Sequence, residues 1–86
     1  MAKRSEHYQQ MVEQETLILE ATELICMLLE KDGVSRVELA EKLDKTKALI
    51  SQLLNGHRNM TLRTLADMAF ALGYRIKVDV ERLETT

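Results

Sequence analysis

One cysteine, two histidines and three aromatic residues are all that this 86-residue chain holds of those types. The lone Cys26 has no partner for an intramolecular disulfide. Its neighbours Leu24, Ile25, Met27 and Leu28 mark it as a packing residue rather than a reactive thiol. His7 and His57 stand far apart with no cysteine or histidine at ligand spacing, so no structural metal is expected. No apolar run approaches the roughly 20 residues that span a bilayer, and the opening MAKRSEHYQQ lacks an apolar signal segment. The expectation is a cytoplasmic protein without membrane contact. No nucleophile triad, paired carboxylates or phosphate loop can be traced, so the chain is read as non-enzymatic and free of cofactors.

What is present is a 45% apolar content, enough for one domain with one modest core. The net charge of −2 is unevenly spread. Residues 1–33 carry three cations and seven anions; residues 34–64 carry six cations and three anions; the remainder carries three and four. A single net-basic stretch thus lies between two acidic ones, and it is where phosphate binding is expected.

That stretch contains RVELAEKLDKTKALISQLLNG, residues 36–56. Leu39, Ala40 and Leu43 form one apolar stripe and Ile50, Leu53 and Leu54 a second, each at helical spacing. Asp44, Lys45 and Thr46 separate them, enough for a tight turn, and small Ala40 lets two helices cross closely. Ser35 with Glu38 makes a capping box for the first helix, Thr46 caps the second, and Asn55-Gly56 ends it. The second helix leaves Lys47, Ala48, Ser51 and Gln52 outside. These types suit base edges in a DNA major groove: Gln for adenine, Lys for guanine, Ser for either, the Ala methyl for thymine. Arg36, Lys45, Thr46, Asn55, His57 and Arg58 lie at the helix ends, where phosphates are held. A solvent-facing helix can also show Lys, Ser and Gln; turn length, crossing residue, caps and polar face falling in register favour the DNA-binding reading.

Flanking elements complete an all-α reading of about five helices. Leu17, Ala21, Leu24 and Leu28, with Ile18, Ile25 and Leu29 beside them, predict a helix over about 15–31. The segment 1–14 is polar, and both helical continuation and fraying stay open for it. Thr61 predicts the cap of a helix over 62–72, closed by Gly73, with Leu62, Leu65, Ala69 and Leu72 inward and Met60, Met68 and Phe70 as core filler.

With these residues in place, VELAEKLDKTKALISQLLNG followed by HRNMTLRTLADMAFALG resembles the lambda-repressor-like, Xre-type helix-turn-helix family, HigA-type antitoxins included. The resemblance spans about Leu17 to Gly73. It implies that Lys47, Ala48, Ser51 and Gln52 meet bases and that Thr46, Asn55 and Arg58 meet phosphates. Two positions depart from the family pattern: Asp44 stands where glycine is frequent, and Leu49 stands at a position commonly polar or aromatic.

From 74 onward the pattern alternates, with Tyr74, Ile76, Val78 and Val80 against Arg75, Lys77, Asp79 and Glu81, as in a strand with one buried face. A solitary strand leaves its ladder groups unpaired, so the expectation is a homodimer in which residues 74–80 pair with their mates, with a short tail to 86; the alternative is a strand folded loosely back on its own helices. Two reading helices on a two-fold axis address an inverted repeat with half-sites about 34 Å apart. The expected function is sequence-specific binding of double-stranded DNA by a transcriptional repressor. Two other readings are an antitoxin that also binds a toxin or other small protein, and a protein-interaction module without DNA binding.

Overall fold

The computed structural model describes residues 3–56 and 59–84, with side chains from Glu6 onward. Its helices are α1 (Lys3–Asp32), α2 (Arg36–Leu43), α3 (Lys47–Leu54) and α4 (Leu62–Ala71). Two of the five expected helices are one. Residues 3–32 contain neither glycine nor proline, and nothing in the polar N-terminal segment caps or breaks the backbone before α1 reaches its apolar half.

Ile25 and Leu29 of α1, Leu39 and Ala40 of α2, Ile50, Leu53 and Leu54 of α3 and Met68 of α4 form one buried cluster. Half-buried Cys26 packs against it, as its apolar neighbours indicated. Helix α2 packs on α3 and α4, and α1 closes the other side against the same two helices. Thr22, the buried polar side chain of α1, donates its hydroxyl to the Ile18 carbonyl at 2.8 Å and so enters the core satisfied.

Only the second half of α1 takes part. Residues 6–17 are exposed, including Leu17, which belongs to the expected apolar stripe but lies beyond the reach of the other helices. A helix of 30 residues is about 45 Å long, and its overhang explains an extent of 49 × 24 × 20 Å. The radius of gyration, 15.3 Å, likewise exceeds the roughly 12 Å of a compact chain this size.

No strand occurs among the described residues. The strand expected over 74–80 is not formed: residues 74–84 take no regular secondary structure, since a ladder needs a second strand and the described residues supply none. Their start is fixed: Gly73 closes α4 at φ +89°, a left-handed value open to glycine. There the Gly73 and Tyr74 N–H groups donate to the Phe70 and Ala69 carbonyls at 3.0 and 2.8 Å. The Tyr74 hydroxyl donates to Asp32 Oδ1 at 3.3 Å, tying the tail to the end of α1. Tyr74 and Ile76 are half-buried, whereas Val78 and Val80 stand free in solvent.

Candidate nucleic-acid interface

The pose of α3 is set by the chemistry of its two ends. At the preceding turn, Ser35 Oγ accepts the Glu38 N–H at 3.1 Å while Glu38 returns a carboxylate oxygen to the Ser35 N–H at 2.9 Å, starting α2 as the expected capping box. Helix α2 ends on Asp44 in the left-handed region (φ 56°, ψ 45°). The Asp44 and Lys45 N–H groups donate to Glu41 and Ala40 at 3.2 and 2.9 Å. This is the closure usually given to glycine, and Asp is among the few residues whose short polar side chain tolerates it. Thr46 then caps α3, its hydroxyl accepting the Leu49 N–H at 3.1 Å.

Ile50, Leu53 and Leu54 turn inward, as their spacing predicts. Lys47, Ala48 and Gln52 are exposed and Ser51, between Lys47 and Ala48 on the same face, is half-buried; the four occupy roughly 140° of the helix circumference. Leu49, the family departure, is half-buried and packs against the core. It lines a cleft of about 370 Å³ with Leu43, Leu53 and Met60 at the junction of α3 and α4. Its apolar type therefore serves packing, and the outward face of α3 remains polar without it.

Among the expected phosphate contacts, Lys45, Thr46 and Asn55 are exposed at the two ends of α3. Half-buried Arg36 donates from Nη1 to Asn55 Oδ1 at 3.1 Å, joining the start of α2 to the end of α3. A guanidinium has five N–H donors, so this contact orients Arg36 and leaves donors for an anion. Nothing in the sequence announces this bond, which spans 19 residues. His57 and Arg58 lie outside the described residues. From Lys45 to Ala66 the chain has no acidic residue, and the positive end of the α3 dipole lies within that stretch.

Two expectations for α4 are overturned. Leu62 is 79% exposed and Phe70 84% exposed, not inward and not core filler. Met68 and Ala69 fill the interior instead, with Leu65, Leu72 and Met60 half-buried beside them. Leu62 sits in the first turn, past the edge of the neighbouring helices, and Phe70, two turns on, lies on the same outward side of α4, away from the buried Met68. Of the four tail residues expected at a dimer contact, Tyr74 and Ile76 are partly used within the chain, and Val78 and Val80 are free.

Among the described residues no group of three His, Cys, Asp or Glu side chains is placed to hold a metal ion. No described helix is long and apolar enough to cross a membrane.

The helix-turn-helix family profile matches residues 27–78, from the second half of α1 into the tail. The chain therefore belongs to the lambda-repressor-like, Xre-type helix-turn-helix family, whose members are DNA-binding transcriptional regulators. No curated protein and no solved structure gives a significant match.

Proposed function

We propose that this chain is a homodimeric repressor that binds double-stranded DNA at an inverted-repeat operator. The observation that carries this reading is the outward face of α3, where Lys47, Ala48, Ser51 and Gln52 share one side of a helix capped at Thr46 and set against α2. These four read base edges. Arg36, Lys45, Thr46 and Asn55, together with His57 and Arg58, which follow α3 in the sequence, hold phosphates on either side. Because the Thr46 hydroxyl is engaged in capping, its contribution to a phosphate is the backbone N–H at the helix start. The acidic surroundings of this basic stretch keep nonspecific association low. Dimerisation through the tail has Val78 and Val80 as its free apolar residues.

Selection of bound sites from a random duplex library tests the proposal. Recovered sites should be inverted repeats, and Gln52→Ala should cost about 1–3 kcal/mol on the best of them while relaxing one position per half-site. Arg58→Ala should weaken every duplex and make the salt dependence shallower by about one charge per subunit. The absence of salt-sensitive binding to any duplex would overturn the reading.

The overhang of α1 favours a second reading, an antitoxin of the HigA type that also binds a toxin. Tyr8, Met11, Val12, Leu17 and Leu19 are exposed there, on a helix segment that packs against none of the other three. A toxin-like reading frame beside the gene, with copurification of its product through residues 3–20, is the outcome that supports it.

A further inference from the structure

Resting on the homodimer reading above, we propose that the outer face of α4 is where a second copy of this chain docks. There Leu62, Ala66 and Phe70 pack against the same residues of the other copy about a two-fold axis. Phe70 is the chain's one phenylalanine, and it and Leu62 are 84% and 79% exposed. Ala66 between them is exposed too. The three recur every fourth residue and so form a continuous apolar stripe, about 12 Å long from Leu62 to Phe70. Exposed apolar stripes of this kind mark interaction sites.

The charges beside the stripe select both the occupant and its direction. Arg63 and Asp67, both exposed, lie one turn apart on the same flank. An antiparallel pairing centred on Ala66 puts Leu62 of each copy against Phe70 of the other, and Arg63 of each beside Asp67 of the other. A parallel pairing sets like charge against like. The stripe is therefore complementary to itself under a two-fold axis, which is what an isologous contact requires. The small side chain of Ala66 at the centre allows the two helices to approach closely. A standard interface buries about 800 Å² per partner, more than three side chains offer. The rest of the contact falls to the side chains flanking the stripe, Arg63 and Asp67 among them.

Sedimentation equilibrium of the full chain over a range of concentrations tests this, without DNA. Phe70→Ser should raise the dimer dissociation constant about thirtyfold with an unchanged circular dichroism spectrum. Arg63→Asp and Asp67→Arg should each weaken the dimer, and the double exchange should restore it, which a general loss of stability cannot do. A dimer indifferent to Phe70→Ser, or a double exchange weaker than either single one, removes α4 from the interface and leaves the homodimer reading standing. A wild-type chain that stays monomeric throughout removes both.

Discussion

Helices α3 and α4 begin in the same way, each on a threonine whose hydroxyl accepts the N–H of the third residue on, at 3.1 Å in both. Each then turns one apolar side into the same cluster, Ile50, Leu53 and Leu54 from α3 and Met68 from α4. Their outer faces differ. Helix α3 shows solvent Lys47, Ala48 and Gln52, whereas α4 shows Leu62, Ala66 and Phe70. An inner face decides whether a short helix is held; its outer face decides what it can meet. Hydrogen-bonding side chains on α3 match the donors and acceptors of base edges, and the apolar stripe of α4 matches another apolar stripe.

The inner faces should therefore be interchangeable in their effect, and the largest losses will come from them. Ile50→Ala and Met68→Ala each remove a side chain with no more than 1% exposure, and each should cost about 2–5 kcal/mol in denaturant unfolding. A loss confined to one of the two would break the comparison, since both side chains belong to one core.

The legibility of these helices in the sequence follows the same division. Their ends were readable because caps are local: Ser35 with Glu38, Thr46 and Thr61 act on N–H groups three residues away. The inner face of α3 was readable because its other side is polar. On α4 both sides are apolar, and periodicity alone cannot tell an unpartnered apolar stripe from a buried one, so Leu62 and Phe70 were misassigned. The alternation of residues 74–80 has the period of a strand, but a strand also needs a partner, and pairing is not a property of one segment. The Arg36–Asn55 hydrogen bond depends on how α2 and α3 cross, which spacing does not encode.

The caps offer a smaller and sharper test. Thr46→Ala and Thr61→Ala should each lower stability by about 1 kcal/mol, measured by thermal unfolding. Their effects on DNA should diverge: Thr46→Ala frays the start of the reading helix and weakens duplex binding beyond its cost in stability, while Thr61→Ala does not. Equal losses of duplex affinity would show that α3 holds no privileged place at the DNA. The turn before Thr46 carries a related expectation. Asp44 holds φ at 56°, a conformation that strains residues other than glycine by roughly 1–2 kcal/mol and Asp by less. Asp44→Gly relieves that strain but adds freedom to the unfolded chain, so the expected outcome is a gain of under about 1 kcal/mol, with duplex affinity unchanged.

The smallest effect separates α2 from both of the helices just compared. Neither α3 nor α4 has an acidic residue in its first turn, so their threonine caps should be indifferent to acid. Helix α2 is capped by a carboxylate as well as a hydroxyl. The Ser35 N–H and hydroxyl beside Glu38 hold its carboxyl below the ordinary value of 4.5; a partial loss of solvation opposes them and Lys42, one turn on, adds the smallest contribution to the lowering. The folded state thus favours the charged form, and the contribution of Glu38 is fully present above 4.5 and fades as pH falls through the lowered value. Exposure of this carboxylate to solvent keeps the effect small. The expected outcome is that wild type melts above Glu38→Gln at neutral pH and that the difference closes on acidification below 4.5, because the glutamine retains a neutral acceptor for the Ser35 N–H but has no charge to lose. A difference that persisted unchanged into acid would mean that the charge of Glu38 contributes nothing to the α2 cap, and that α2 is started by the serine hydroxyl alone, as α3 and α4 are by their threonines.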